Sequence, residues 1–227
     1  MKYLVVIPAR GGSKRIPHKN IALLRGKPLI QYTIDCVRDA GLIDFLAVST
    51  EDSSIVQIAK LNGVRVFNRP LELAKDKTST ELVLLNTLDQ YEDDGNGLPE
   101  WIMTLPPTSP LRSASSLTTF IEKLDSVSKD IDCIMSVTEN RGDFWSFEPD
   151  GNFQRLFPNA PRRQQDRTPL FEENSSIYLT RVTALKETGS ILGRKVIGIP
   201  ISNYEALDIN TPDDLQLAEV LIKYYRN

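Results

Sequence analysis

The chain of 227 residues has an ordinary globular composition, with 41% hydrophobic residues, 25% charged residues and a formal net charge of −3. This length fits one sizeable α/β domain, because two domains would each be small. A chain without a basic excess is poorly suited to binding nucleic acid or an anionic membrane, so we expect neither as a partner. Local basic clusters then indicate small anions.

Three features bear on the compartment. Cys36 and Cys133 lie among apolar neighbours without CxxC spacing, which favours buried reduced thiols over a disulfide or a zinc site. The apolar N-terminal run is too short for a signal peptide, and no stretch reaches transmembrane length. We therefore expect a cytoplasmic location.

The first predicted element is a buried strand, Leu4 to Ile7, which Pro8 ends. A loop rich in glycine and basic residues follows, and residues 5–20 read V-V-I-P-A-R-G-G-S-K-R-I-P-H-K-N. Glycine lets backbone N–H groups approach an anion and the cations neutralise it, so the loop predicts a polyphosphate site; the alternative is a solvated surface loop. The spacing matches neither G-x-x-x-x-G-K-[ST] nor G-x-G-x-x-G, which argues against a P-loop NTPase and a Rossmann dehydrogenase.

Strands and helices then alternate. Apolar periodicity and turn residues predict strands at 45–50, 64–67, 101–105 and 131–137, and helices at 29–40, 53–63, 81–91 and 115–124. This order predicts right-handed βαβ units. We expect one α/β domain over residues 1–227, with a mostly parallel, Rossmann-like nucleotide-binding sheet flanked by helices.

The pattern changes at residues 143–167, where glycines and prolines alternate with five aromatic residues, Phe144, Trp145, Phe147, Phe153 and Phe157. Such alternation is typical of an irregular hairpin insertion. Such an apolar insertion needs a partner surface.

The last predicted elements are strands at 196–200 and 205–210 and a helix that Thr211 caps. Asp213 and Asp214 lie in the first turn of that helix. We interpret them as partners of the helix dipole and not as a metal pair.

Five segments, in order, resemble those of the CMP-sialic acid synthetases, the acylneuraminate cytidylyltransferases. The most specific is I-P-A-R-G-G-S-K-R-I-P-x-K-N at 7–20, and the others are R-P-x-E-L-A-x-D at 69–76, P-T-S-P-L-R at 107–112, R-R-Q at 162–164 with the later N-x-x-x-Y at 174–178, and D-x-N-T at 208–211. The wider sugar nucleotidyltransferases share a looser form of the first segment. In the family, an insertion at the place of 143–167 crosses to the neighbouring subunit, so the resemblance implies a homodimer.

The resemblance implies that CTP and a nonulosonic (sialic-acid-like) sugar acid react to give the CMP-sugar and pyrophosphate, with Mg²⁺ as cofactor. It implies nucleotide binding by Arg10, Gly11, Ser13, Lys14, Lys19, Asn20, Arg69 and Thr80. It implies sugar binding by Arg163, Gln164 and Asn174, and metal binding by Asp208 and Asn210. The catalytic residues would be Arg10, Lys19 and Asp208.

Three positions depart from the family pattern. Pro106 stands where the family has a glutamine that contacts the sugar acid, Ser175 replaces a glycine, and Asn210 replaces the second metal-binding aspartate. These departures leave open a non-catalytic nucleotide-binding homologue. Among enzymes, the alternative is a nucleotidyltransferase for a Kdo-type or other sugar.

Overall fold

The structure is a computed structural model that describes residues 2–225, without the side chain of Tyr225. The strands are β1 (Tyr3–Pro8), β2 (Leu23–Leu24), β3 (Lys27–Pro28), β4 (Leu46–Thr50), β5 (Arg65–Asn68), β6 (Trp101–Thr104), β7 (Cys133–Asn140), β8 (Trp145–Phe147), β9 (Phe153–Arg155), β10 (Leu170–Arg181) and β11 (Val196–Pro200). The helices are α1 (Leu29–Asp39), α2 (Ser53–Leu61), α3 (Thr80–Asp93), α4 (Ala114–Lys123), α5 (Val182–Thr188) and α6 (Pro212–Tyr225).

Seven strands form the central sheet, in the order β11-β7-β10-β6-β1-β4-β5. β10 runs antiparallel to both of its neighbours, and every other pair in this sheet is parallel. The predicted α/β class with a mostly parallel sheet is therefore confirmed.

Helices cover both faces of this sheet because its strands alternate their apolar side chains. In β1, Val5 and Ile7 pack into the cluster that contains residues of α1, α2 and α4. Leu4 and Val6 pack on the opposite face, with residues of α3 and α5. A third cluster joins α6 to Leu24 and the start of α1.

The helix ends follow local signals. Asp52 accepts hydrogen bonds from the backbone N–H groups of Ser54 and Ile55 and so caps α2. At α6, Thr211 accepts from the N–H of Asp214, whose carboxylate in turn accepts from the N–H groups of Asn210 and Thr211. The predicted cap is confirmed, and Asp213 and Asp214 lie in the first turn of the helix as predicted.

The predicted strand at 205–210 is wrong. This segment is a turn followed by extended chain outside the sheet. Its apolar residues pack into the cluster around α6, where Ile209 is fully buried. The Glu205 carboxylate accepts from the Ser113 N–H and the Ser116 hydroxyl at the start of α4, so side-chain contacts replace strand pairing.

The twelve-residue strand β10 was not predicted as a strand, and neither was α5. The first half of β10 is exposed and polar apart from Leu170 and Phe171, and a bulge interrupts its pairing with β7 between Glu173 and Tyr178. Such a sequence lacks the apolar run of a buried strand. The hairpin of β8 and β9 lies within the predicted insertion at 143–167.

Both cysteines are buried and free, as predicted, and burial raises the pKa of the Cys133 thiol to about 12. Across residues 2–225, no helix has the length and apolar character needed to cross a membrane.

Candidate active site

The candidate site lies where parallel strands end. β1 leads into the loop with Arg10, β5 leads into Arg69, and β6 leads into Pro106 to Thr108. The carboxyl ends of parallel strands share one edge of the sheet, which is where ligands bind in such folds. The three segments enclose a cavity of about 440 Å³. It is lined by Pro8, Arg10, Gly12, Ser13, Lys14, Arg15, Lys19, Asn20, Arg69, Leu73, Lys75, Asp76, Thr78, Ser79, Thr80, Val83 and 106–108.

Buried hydrogen bonds hold the glycine-containing loop against the sheet. The Asn20 amide is buried and donates from Nδ2 to the Arg10 carbonyl oxygen at 2.8 Å. The Gly11 N–H donates to Glu51 Oε1 at 2.7 Å. This N–H therefore holds the loop in place, and Gly11, expected to bind the nucleotide, does not line the cavity. A Cβ atom on Gly11 would lie 2.3 Å from Asp52 Oδ2, whereas one on Gly12 would meet nothing within 4 Å. Gly11 is thus required for close packing, and Gly12 is not.

Two cations of the loop, Arg10 and Lys14, line the cavity and are paired with the same carboxylate. Arg10 Nη1 lies 2.7 Å from Asp76 Oδ1, and Lys14 Nζ lies 2.8 Å from Asp76 Oδ2. Hydrogen bonds from these two cations lower the pKa of the Asp76 carboxyl, which is therefore ionised at neutral pH.

Arg69 is buried, with 4% of its surface exposed. Its Nη2 donates to the Ser49 carbonyl oxygen at 2.8 Å, and among the described residues its buried Nε has no hydrogen-bond partner. Burial lowers the pKa of Arg69 to about 10, although the neighbouring Glu51 carboxylate opposes the shift. A buried donor without a partner fits an acceptor on a ligand. Thr80 lines the same cavity.

Lys19 lies on a short 3-10 helix, Lys19–Ile21, and contacts the segment that precedes α6. Its Nζ donates to the Ile209 carbonyl oxygen at 2.8 Å, and the Ile209 N–H donates to the Thr108 carbonyl oxygen, also at 2.8 Å. Burial lowers the pKa of Lys19, while the nearby Asp208 carboxylate counteracts the shift. Lys19 lines the first cavity and Asp208 lines a second one, and the bond from Lys19 to Ile209 holds the neighbour of Asp208 against a residue of the first cavity. We call this contact between the two linings, at Lys19 and the segment of Asp208, the junction.

The second cavity has a volume of about 310 Å³. It is lined by Thr138, Glu172, Glu173, Asn174, Ser175, Asn203, Ala206 and Asp208. Asn174 Oδ1 accepts from the Ser136 hydroxyl and from the Ser176 N–H, and its buried Nδ2 has no hydrogen-bond partner in the described part of the chain. The bulge of β10 thus places an amide donor in the lining of the cavity that Asp208 also lines.

Two of the three expected sugar-binding residues lie elsewhere. Arg163 and Gln164 are exposed and line neither cavity of this single chain. The neighbouring Asp143 carboxylate is paired with Arg155 at 2.7 Å and with Arg167 at 3.2 Å. These ion pairs hold the insertion together away from the other expected site residues.

The structure shows what Pro106 and Ser175, two of the departures from the family pattern, do in the fold. Pro106 lines the first cavity, and its carbonyl oxygen accepts from Arg112 Nη2 at 3.0 Å. Arg112, which is 1% exposed, also donates to the Ser176 carbonyl oxygen at 2.7 Å and so joins the loop after β6 to the bulge of β10. Ser175 has φ +58°, the left-handed conformation that a glycine adopts at no cost.

Asp208 is suited to bind a metal ion whose other ligands come from the substrate. No group of three or more His, Cys, Asp or Glu side chains within 2–225 is arranged to hold a metal ion. Mg²⁺ in nucleotide sites, however, needs only one or two carboxylates beside substrate phosphates. Asn210 Nδ2 donates to Asp208 Oδ2, so the amide orients the carboxylate. One oriented carboxylate beside substrate phosphates fits Mg²⁺.

Sequence reasoning gave no role to Asp76 or to Arg112. Both lie inside segments that carried the resemblance, and Asp76 is the only carboxylate that pairs with the loop cations among the ion pairs of residues 2–225. Charge complementarity between the two segments was the available signal.

A family model and several named relatives match this chain. The family model described as cytidylyltransferase matches residues 4–181. N-acylneuraminate cytidylyltransferase of Streptococcus agalactiae serotype III is 30% identical over 220 residues, which cover 94% of this chain and 52% of that protein. Pseudaminic acid cytidylyltransferase of Campylobacter jejuni is 29% identical over 228 residues, which cover 98% of this chain and 97% of that protein. The chain thus spans about half the length of the first relative and nearly all of the second.

A third relative, CMP-N,N'-diacetyllegionaminic acid synthase of Legionella pneumophila, is 28% identical over 231 residues and is also covered nearly whole, at 97%. Among solved structures, CMP:2-keto-3-deoxy-manno-octonic acid synthetase complexed with CTP has a TM-score of 0.68 at 16% identity, covering 98% of this chain and 99% of that chain. The 4-diphosphocytidyl-2C-methyl-D-erythritol synthase of Anaerococcus prevotii has a TM-score of 0.67 at 13% identity, covering 97% and 98%. At these identities the likeness shows the fold alone.

Proposed function

This chain belongs to the cytidylyltransferase family, and from that premise we propose that it transfers CMP from CTP to a nonulosonic sugar acid, with release of pyrophosphate. The observation that carries the proposal is the junction of two cavities at Lys19 and Asp208. One cavity has the cations that a triphosphate requires. The other has the carboxylates and amides that suit a polyhydroxylated sugar.

The reaction joins the anomeric oxygen of the sugar acid to the α-phosphorus of CTP and breaks the bond from that phosphorus to the β-phosphate oxygen. The hydroxyl proton passes to a base at the site and from there to solvent, and pyrophosphate carries away the bonding electrons. Protein groups contribute mainly position and charge in such transfers. Lys19 and Arg10 neutralise the phosphates, and Asp208 lies on the sugar side of the junction, where it accepts or orients the hydroxyl proton.

Mg²⁺ is part of the proposal. Asp208 would hold it together with phosphate oxygens of CTP, while Asn210 keeps the carboxylate in place through its Nδ2 hydrogen bond. The bound ion would supply charge neutralisation at the transferring phosphate.

The sugar class rests on the relatives. N-acylneuraminate, pseudaminic acid and N,N'-diacetyllegionaminic acid, named for three relatives, are all nonulosonic acids, and two of those relatives are covered almost whole. Asn174 offers the donor that would meet a polar substituent of the acid. The site residues Ser13, Asn20, Arg69 and Thr80 are proposed to hold the nucleotide.

We further propose a homodimer through the insertion. Four of its aromatic side chains are about half exposed or more: Trp145 at 49%, Phe147 at 68%, Phe153 at 67% and Phe157 at 47%. Phe147 and Phe153 stack edge to face on the hairpin, with ring centroids 5.2 Å apart. A second copy would remove this apolar surface from water and would bring Arg163 and Gln164 near another subunit. Light scattering tests it, since a mass of 25.5 kDa would contradict the dimer.

Pyrophosphate release tests the function. The protein is incubated with Mg²⁺, one of CTP, UTP, ATP or GTP, and one of N-acetylneuraminate, pseudaminate, diacetyllegionaminate or the eight-carbon acid 2-keto-3-deoxy-manno-octonate. We expect release with CTP and a nine-carbon acid. Preference for the eight-carbon acid would place the chain among other sugar nucleotidyltransferases. CTP binding without release from any acid would identify a non-catalytic homologue.

A further inference from the structure

Asp76 forms ion pairs with two cations that a bound polyphosphate would need. It lies between the 3-10 helix Leu71–Ala74 and α3, and its two carboxylate oxygens contact Arg10 at 2.7 Å and Lys14 at 2.8 Å. Arg10 also donates to the Ala74 carbonyl oxygen at 3.4 Å. All three charged side chains line the first cavity.

The pairing is accessible to exchange with a ligand. The Asp76 side chain is 35% exposed and that of Lys14 is 82% exposed, so neither ion pair is locked in the core. Ion pairs of this exposure contribute little to stability. A phosphate group bearing more charge than one carboxylate can therefore replace Asp76 on Arg10 and Lys14.

We propose that Asp76 is an intramolecular competitor of the nucleotide's phosphates and that it sets the affinity of the site for CTP and for pyrophosphate. Binding a triphosphate breaks both ion pairs and brings the phosphates close to a carboxylate of like charge. Release of pyrophosphate lets the carboxylate return to the two cations. Asp76 thus weakens substrate binding and favours departure of the product.

This inference rests on the proposed CTP-dependent function but can be tested apart from it. Asp76→Asn keeps the size of the side chain and removes its charge. Glu72→Gln is the matched control, because Glu72 is an exposed carboxylate on the same segment and enters none of the ion pairs identified within residues 2–225. Both changes remove one negative charge, so they alter the general field of the protein equally.

The parent and both variants are titrated calorimetrically with CTP and with inorganic pyrophosphate. The affinity for uncharged cytidine is measured by its competition with CTP. Each titration is done with and without Mg²⁺. Asp76→Asn is expected to bind CTP and pyrophosphate about three- to tenfold more tightly than the parent, as loss of two exposed ion pairs and one repulsion implies. Cytidine affinity should not change. Glu72→Gln should resemble the parent with every ligand.

Equal or weaker binding of CTP and pyrophosphate by Asp76→Asn would overturn the proposal. Weaker binding only with Mg²⁺ would also overturn it, because it would make Asp76 part of the metal site. If the parent binds pyrophosphate but no CTP, the proposed function fails, and tighter pyrophosphate binding by Asp76→Asn would still support the competitor role. Circular dichroism confirms that each variant is folded.

Discussion

Lys19 and Ile209, 190 residues apart in the sequence, are joined by a hydrogen bond of 2.8 Å from Nζ to the backbone carbonyl oxygen. The bond fixes the ammonium group between the glycine-containing loop and the segment that carries Asp208. Burial at this position lowers the pKa of Lys19. The charge of Lys19 is therefore held at the junction of the two cavities.

Removing a cation of the loop should reduce turnover without unfolding the protein. Lys19→Ala and Arg10→Ala each lose a charge-assisted contact to phosphate, worth about 1.5–3 kcal/mol, so we expect turnover to fall roughly tenfold or more. Steady-state kinetics with CTP measures this. Lys60→Ala, a change at an exposed lysine of α2, is the control and should retain parental activity. Turnover within twofold of the parent in Lys19→Ala would refute its role.

The pH dependence of activity should report Lys19. Its pKa is lowered from 10.5, so the ammonium of the free enzyme loses its proton at a lower pH than an exposed lysine does. We expect kcat/KM to fall on the alkaline side below pH 10.5, and Lys19→Arg to move this limb to higher pH.

The stability contribution of Lys19 should change with pH in the direction opposite to activity: as pH rises, activity falls and the free energy of unfolding increases. Between the lowered pKa and 10.5 the unfolded chain binds the proton that the folded protein has lost, so the contribution of Lys19 to the free energy of unfolding rises with pH in that window. For the pH profile of activity, a limb of kcat/KM at high pH that is the same in the parent and in Lys19→Arg would show that another group causes the fall.

The two adjacent glycines should differ in their tolerance of a methyl group. Gly11→Ala places Cβ 2.3 Å from Asp52 Oδ2 and disturbs the cap of α2, so we expect a loss of about 1–3 kcal/mol in the free energy of unfolding. Gly12→Ala has open space and should change it by less than about 0.5 kcal/mol. Urea denaturation of both variants tests the contrast. Equal stabilities would show that the loop moves freely away from Asp52.

The left-handed backbone at Ser175 predicts a difference between two substitutions. Ser175→Gly and Ser175→Ala both remove the hydroxyl that accepts from Tyr178 at 3.1 Å, so their comparison isolates the backbone conformation. Because φ is +58°, we expect the glycine variant to be more stable by about 1 kcal/mol. Thermal unfolding of the pair measures it. A more stable alanine variant would contradict the strain at this position.

The metal proposal predicts an order among variants at Asp208 and Asn210. Asn210→Asp supplies a second anionic oxygen and should lower the Mg²⁺ concentration for half-maximal turnover, whereas Asp208→Asn removes the carboxylate and should nearly abolish activity. Titration of turnover with Mg²⁺ gives both values. Normal activity of Asp208→Asn would place the metal site elsewhere. Activity of all forms without a divalent ion would exclude the metal from the reaction.

The sequence alone indicated most of the strands and helices and their alternation along the chain. Apolar runs, caps and turn residues are local signals, so β1, the helix starts at Asp52 and Thr211, and the insertion at 143–167 could be recognised without a structure. The basic loop could be recognised for the same reason, since its glycines and cations are contiguous. The roles of individual site residues in catalysis are still predictions.

Only the tertiary structure decided the placement of β10, because an antiparallel strand with a polar, exposed first half is stabilised by pairing with β6 and β7 and not by its own pattern. The segment 205–210 alternates like a strand, yet the burial of Ile209 beside α6 outweighed sheet pairing. Likewise, the contacts of Asp76 with Arg10 and of Lys19 with Ile209 join distant segments. Local sequence sets backbone conformation and apolar periodicity, whereas contacts between distant segments depend on how the packed elements close on one another.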